Sequence, residues 1–498
     1  MSAEKVRIQL EPSGILVEVQ RGASLQSSLP LHGIEFPCGG TGLCGGCRVH
    51  VLSGSLPITE QDGLFFPPED IASGWRLACQ AIANVPLVLE CEQWHMDVLG
   101  DNSILPGTGK KGLGIAIDLG TTTIAAQLVD LATGNVLGVE TELNPQAPFG
   151  SDVMSRIRTV LAGRDLATVV HAALRPMIAK LARGREHEII EVVLVGNSVM
   201  HHLFSRLNVE PLSHAPFHSP NLGEQRFSAD ELRWPLPVPC SIRFVRCLGG
   251  FVGSDILAGI FAVGMPTSQE MLALVDLGTN GEIAIGNRDR ILYASTAAGP
   301  AFEAASIRMG MRASTGAVSR VSRSNGEIHA TVIGDAGPRG ICGSGLVDAV
   351  AVGLETGAIL PSGRIANGTK LFPVAGPVVL HQGDIRELQL AKAAIAAGFR
   401  LLLKTLGAKP DDLERIHLAG AFGNYIQAES AVGIGLLEFP WQRIVPSGNT
   451  ALRGAKMLLL SANRPPLPPM EHIALAADPD FQDQFVSCMS FPEIGPAV

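Results

Sequence analysis

The run CGGTGLCGGC at residues 38–47, with a fourth cysteine in RLAC at position 79, constrains this chain more than any other feature. Cys38, Cys44 and Cys47 have C-x5-C-x2-C spacing, and Cys79 follows 32 positions after Cys47. Thiolates grouped in this way hold an iron–sulfur cluster; the plant-type pattern has one residue fewer in its first gap. A distant fourth ligand after a glycine-rich loop favours 2Fe–2S over 4Fe–4S. Glycines in the loop let it curl and leave backbone N–H groups free to bond the sulfides. A structural zinc site would favour two paired C-x2-C knuckles, and this chain has one.

The surrounding residues 1–91 read as a small unit. VRIQL and ILVEV alternate about EPSG as a hairpin, ASLQSSLP is a short helix, and RVHVL, WRLAC and VPLVLEC are further strands. A β-grasp 2Fe–2S ferredoxin of α+β type is expected there. Cys91 falls outside the ligand pattern and reads as a buried strand cysteine. Residues 92–112 lack periodicity and are rich in Gly, Pro and polar residues, the composition of a flexible linker.

From residue 113 the pattern becomes α/β, and a strand–turn–strand signature occurs twice, as IAIDLGTTT and as LVDLGTNGE. In each, an apolar strand ends in Asp-Leu-Gly-Thr. Such a turn presents backbone amides and hydroxyls to phosphate oxygens. The aspartate at its strand end is placed to hold Mg²⁺ through water. Asp118 and Asp276 are therefore the candidate catalytic residues. Gly120, Thr121, Thr122, Thr123, Gly278, Thr279 and Asn280 are candidates for ATP binding. LAGAFG at 418–423 adds Gly420 and Gly423, whose small size allows close approach of a nucleotide. The Walker A and Rossmann glycine patterns are both missing. The expected architecture is a duplicated α/β, actin-like (ribonuclease H-like) ATPase domain over 113–462, in two lobes of approximately 113–270 and 271–462. A C-terminal extension, 463–498, is expected to pack on it.

Composition narrows the functional classes. The 498 residues are 46% apolar and 17% charged with formal net charge -9, which fits globular domains and argues against a nucleic-acid partner. No apolar run reaches the about 18 residues of a membrane helix, and MSAEKVRIQLEPSG has no apolar core of a signal peptide. A cytoplasmic location is expected. In that reducing compartment the nine cysteines bind metal or are buried rather than forming disulfides. Cys240, Cys247 and Cys342 read as buried, and adjacent His201 and His202 as packing or capping residues, since neighbouring side chains do not share a helix face.

With both signatures read, the chain resembles the reductive activators of corrinoid proteins. Those join a 2Fe–2S ferredoxin to an ATPase of the acetate/sugar kinase, Hsp70 and actin superfamily. The resemblance rests on CGGTGLCGGC, RLAC, IAIDLGTTT, VLVGNSVMHHL, LVDLGTNGE, GPAFE, CGSGLVDA and LAGAFGN, and spans nearly the whole chain. It implies that Cys38, Cys44, Cys47 and Cys79 are the cluster ligands and that the two DLGT turns lie at ATP. It implies a job: restoring Co(I) from inactive Co(II) in a cobalamin-dependent methyltransferase or its corrinoid protein. An upstream low-potential electron donor and a homodimer through the ATPase domain are further expectations. Some family members carry an extra small domain after the ferredoxin, for which the short linker here leaves no room. An activator of 2-hydroxyacyl-CoA dehydratases is a second reading, but that class takes its cluster cysteines from the ATPase fold itself. A ferredoxin-bearing scaffold without turnover is a third, and a small-molecule kinase leaves the cysteines unexplained.

Overall fold

The computed structural model describes residues 4–493 apart from 12–13, 30–41, 43–46, 92–100, 102, 151, 215–216, 238, 279, 300, 305, 325, 335–336, 367, 424 and 462–465. Its first unit is a five-stranded sheet in the order Ile15–Gln20, Lys5–Glu11, Leu87–Cys91, Arg48–Ser53, Trp75–Leu77. Lys5–Glu11 buries every second side chain, Val6, Ile8 and Leu10, as a half-buried strand requires. It pairs antiparallel with Ile15–Gln20 and parallel with Leu87–Cys91, so the first and last strands lie side by side at the centre. This is the expected β-grasp arrangement. Asp62 is buried beneath the segment before Trp75 and accepts hydrogen bonds from Leu77 N at 2.8 Å and from Thr59 N at 2.8 Å.

Two further sheets repeat one plan. In the first, the order is Val136–Leu143, Thr123–Asp130, Leu113–Leu119, Ile189–Val195, Ser241–Phe244, with Gln225–Phe227 added at the edge. In the second, Ile291–Thr296, Gly281–Gly286, Met271–Leu277, Leu413–Ala419 and Ile444–Pro446 occupy the same five places. The leading strand of each half is antiparallel to its hairpin partner and parallel to the strand on its other side. The duplicated α/β fold expected from the repeated signature is thus present, with each DLGT turn at the same end of equivalent strands.

The two halves meet through two helices. Ser254–Ala262 sets Ile256 and Ile260 against Leu272, Leu274 and Ala284 of the second sheet. One residue round its axis, Leu257, Ala258 and Phe261 face the helix Thr450–Leu460. That second helix, though it comes from the end of the chain, packs on the first sheet against Ala116, Ala125 and Val193. Small residues let the helices touch: a Cβ added to Gly454 would stand 2.0 Å from the Ala258 carbonyl oxygen.

Segments expected to connect or cover these units are partly fastened. Within 92–112, the carbonyl of Asp101 accepts from Gln127 and the Thr108 amide bonds the Leu131 carbonyl at 2.8 Å. The stretch 101–108 is therefore tied to the first lobe, while 92–100 lies outside the described residues. At the other end, Met470–His472 adds a parallel strand beside Ile291–Thr296, and helix Phe481–Ser487 lies on the long helix Gln382–Leu406. The ferredoxin sheet also touches the second lobe. Arg48 donates to the Arg308 carbonyl, and Arg339 pairs with Glu90 at 3.3 Å.

Candidate functional site

The cluster region is built by strand register. Cys47 immediately precedes Arg48–Ser53, and Cys79 lies in the turn just after Trp75–Leu77. These strands pair antiparallel with Arg48 opposite Leu77. Residues 32 positions apart are thereby brought to one corner. The Cys79 amide donates to Cys47 Sγ at 3.4 Å, and Gln80 Nε2 donates to Cys79 Sγ at 3.4 Å. N–H donors to sulfur stabilise thiolate ligands and tune a cluster's potential. Gly42 of the same loop lies against Gln61 and Gln80. Cys38 and Cys44 lie outside the described residues.

The first phosphate-type turn is held from below at every carbonyl. Asn144 donates through its side chain to Gly120 O at 2.8 Å and through its amide to Thr122 O at 2.8 Å. Buried Arg156 donates to Thr121 O, and Asn197 Nδ2 to Thr121 Oγ1 at 2.8 Å. Gly120 N closes the turn by donating to Thr123 O at 3.0 Å. A turn with its carbonyls so occupied is the kind of backbone that can cradle an anion through its amides. In the second turn, Gly278 N donates to Asn280 O at 3.1 Å; Thr279 lies outside the described residues.

Four acids gather between the turns. Asp118 and Asp276 end their strands, Glu282 stands directly across the ladder from Asp276, and Asp255 lies in the first turn of Ser254–Ala262. Burial raises the Asp118 carboxyl to about 6, against which a hydrogen bond from Asn449 acts at 2.9 Å. Burial, and then the Asp118 charge, raise Asp276 to about 7. Burial with Asp276 and Asp118 raises Asp255 to about 8, and Glu282 is raised well above its ordinary value chiefly by burial. Like charges this close cannot all ionise without a compensating cation. Their donors are all oxygens, the type a hard cation takes, but among the described residues no three His, Cys, Asp or Glu side chains are set as a group that could hold a metal ion.

Of the predicted nucleotide residues, Asp118, Gly120, Thr121, Thr122 and Thr123 form one turn, and Asp276, Gly278 and Asn280 form the other. Gly420 joins them: its φ is +85° and an added Cβ would lie 2.5 Å from Asp276 Oδ1. Gly423 is one turn further on, against Leu418. Asp255, Glu282, Asn449, Asn197 and Arg156 were not among the candidates. Glu282 closes the motif LVDLGTNGE and Asp255 closes GGFVGSD, so both carried a local signal. His201 and His202 are buried packing residues, His202 bonding the Ser198 carbonyl at 2.7 Å and Ser219 Oγ at 2.7 Å.

Fold and site together define an iron–sulfur domain joined to a two-lobed nucleotide-binding domain. Comparison with known proteins agrees. The family described as "2Fe-2S iron-sulfur cluster binding domain" matches residues 8–84, "RACo middle region" matches 113–268, and "C-terminal domain of RACo the ASKHA domain" matches 270–497. The chain is 38% identical to "Corrinoid activation enzyme RamQ" of Eubacterium limosum, over 79% of this chain and 74% of that protein. It is 29% identical to "[Co(II) methylated amine-specific corrinoid protein] reductase" of Methanosarcina barkeri, over 70% of each. The solved structure of a "Reductive activator for corrinoid,iron-sulfur protein" superposes with TM-score 0.66 at 27% identity, over 98% of both chains. The chain belongs to this family of corrinoid-activating proteins. Among the described residues no helix is long and apolar enough to cross a membrane.

Proposed function

We propose that the chain is an ATP-dependent reductive activator. It accepts an electron from an upstream low-potential donor and delivers it to the Co(II) corrinoid of a cobalamin-dependent methyltransferase or of a separate corrinoid protein. That substrate leaves as Co(I). The observation that carries this reading is the joining, in one chain, of the N–H···S corner at Cys47 and Cys79 with a cleft lined by four acids whose burial raises them.

Cys38, Cys44, Cys47 and Cys79 would hold the 2Fe–2S cluster. ATP with Mg²⁺ would lie between the two DLGT turns, with phosphate at the Gly120–Thr123 turn and at the turn that follows Asp276. When bound, the cluster supplies a one-electron carrier and ATP supplies the free energy of phosphoryl transfer. Asn449 orients Asp118 for the cation. Asp276, raised to about 7, is suited to take a proton from water near neutral pH. The dehydratase-activator alternative needs cluster cysteines in the ATPase fold. Cys240, Cys247, Cys342 and Cys488 there are all buried, and burial pushes Cys240 and Cys247 up to about 12. Among the described residues they form no group of three that could hold a metal ion. A cytoplasmic location and pairing of two chains through the ATPase domain complete the proposal; sedimentation checks the pairing.

The test is to mix protein bearing a reduced cluster with Mg²⁺-ATP and a Co(II) corrinoid protein of its host, and to follow Co(I) by visible absorbance. Conversion is expected with the intact chain, none with Cys44→Ser, and a single round without turnover with Asp276→Ala. Intact protein that leaves every corrinoid protein of its host at Co(II) would remove this reading.

A further inference from the structure

Lys456 is a fully buried lysine two turns inside the helix Thr450–Leu460. Its Nζ pairs with Asp101 Oδ2 at 2.5 Å and donates to the Ser103 carbonyl at 2.6 Å. Asp101 is itself held, Ser103 Oγ donating to Oδ2 at 2.8 Å and Ser103 N to Oδ1 at 3.2 Å. Gln127, on the first sheet, donates to the Asp101 carbonyl. The chain that leads from the ferredoxin domain is thus nailed to one helix by an ion pair of 0% and 9% side-chain exposure. Ion pairs so buried are a poor source of stability, because desolvation offsets the attraction. Their presence calls for another explanation.

The same helix begins at the nucleotide cleft. Its N-cap, Asn449, accepts from Leu452 N at 2.8 Å and donates to Asp118 Oδ2 at 2.9 Å. Lys456 lies seven residues on, two helical turns along the same face, about 10 Å down the axis. Between them Gly454 presses on the Ala258 carbonyl of the helix that carries Asp255. One rigid element therefore touches an acid of the cleft at its head and the root of the tether at its middle. Asp101 follows Cys91 by ten positions, a contour length of at most about 35 Å between the ferredoxin sheet and that root.

We propose that Lys456 and Asp101 are positioning residues: through them the helix Thr450–Leu460 converts a change at Asp118 into movement of the ferredoxin tether. The inference rests on the nucleotide reading above. A buried salt bridge suits the role because it holds a unique geometry, whereas an apolar contact slides. Neither residue belongs to the two DLGT turns or to the four acids between them.

The experiment is fluorescence energy transfer in the full chain, with non-canonical labels at exposed Glu18 and Leu161. Mg²⁺ with a non-hydrolysable ATP analogue is the probe. In the intact chain the analogue is expected to change the transfer efficiency. Asp101→Leu with Lys456→Met replaces the pair by apolar groups, a swap that is often neutral for stability. The double variant is expected to keep its cluster spectrum and analogue affinity, to lose the nucleotide-dependent change, and to slow Co(I) formation about fivefold or more. Asp101→Asn, which keeps size and a hydrogen bond, is the second variant should the double variant fail to fold, and is expected to lose most of the change. Either folded variant responding to the analogue like the intact chain would overturn the proposal. So would an intact chain that binds the analogue without any change in transfer. Failure of the corrinoid reading would instead leave Co(I) absent in every variant, including the intact chain, while the energy-transfer result stood.

Discussion

Gly420→Ala separates the part of the nucleotide site that is built on backbone conformation from the part built on side chains. At φ +85° an alanine in place of Gly420 suffers left-handed strain of about 1–2 kcal/mol. Its Cβ would also meet Asp276 Oδ1 at 2.5 Å and the Leu277 carbonyl oxygen at 2.7 Å. Overpacking of that kind costs about 1–3 kcal/mol when the neighbours must move. The backbone oxygen belongs to the central strand of the second sheet, so the Asp276 carboxyl is the neighbour that yields. If about 1.4 kcal/mol of the cost is relieved by displacing it, ATP affinity falls about tenfold. Calorimetric titration with Mg²⁺-ATP reads the affinity, and thermal unfolding reads the loss of second-lobe stability. Gly407→Ala is the control for strain alone: its φ is +68° and an added Cβ would meet nothing within 4 Å. It should lower unfolding temperature modestly and leave ATP affinity unchanged. Gly420→Ala that binds ATP and unfolds like the parent would refute the close approach of residue 420 to the acid cluster.

Other outcomes follow from the same geometry. Asp118, Asp276 and Asp255 are raised to about 6, 7 and 8, so between pH 4 and 8 the native state holds more protons than the unfolded chain. Their contribution is fullest below the ordinary carboxylate range and is lost as pH rises through these values. Nucleotide-free protein should therefore melt at lower temperature at pH 8 than at pH 6, and this slope should be weaker in Asp276→Asn and in the presence of Mg²⁺-ATP. Cys79→Ser should abolish the visible spectrum of the cluster while leaving ATP affinity unchanged, since the two sites lie in separate units. Asp62→Ala strands the Leu77 amide and the Thr59 donors, which should cost about 1–3 kcal/mol of ferredoxin stability and speed loss of iron to a chelator.

The parts of this molecule written in contiguous residues were legible before its structure. The cysteine loop, the alternation of VRIQL, and the paired DLGT turns are local signals, and the three-unit fold follows from them. What escaped was everything that depends on the exchange of helices between halves. Asn449 bonds Asp118 across 331 positions, and no local pattern announces a lone asparagine before an ordinary helix. Asp255 closes the glycine-rich segment 249–255, which reads as a cleft-lining turn, but its helix between the sheets is not announced locally. Asp101 gave the opposite error. In a stretch of Gly, Pro and polar residues it reads as solvated linker, yet it is buried against Lys456, a residue that periodicity places on an apolar helix. Gly420, of the same motif as Gly423, has the left-handed backbone conformation that favours glycine, with φ +85°.

The central claim is that an electron held by the N-terminal cysteine domain reaches cobalt under the control of the nucleotide cleft. Rapid-freeze electron paramagnetic resonance tests it directly, because the reduced 2Fe–2S cluster and the Co(II) corrinoid are both paramagnetic and can be counted in one sample. After mixing with Mg²⁺-ATP, the two signals should fall together, one spin for one spin, and the change should be absent in Cys47→Ser. Loss of the cobalt signal while the cluster signal stays constant, or equal rates with and without ATP, would contradict the account.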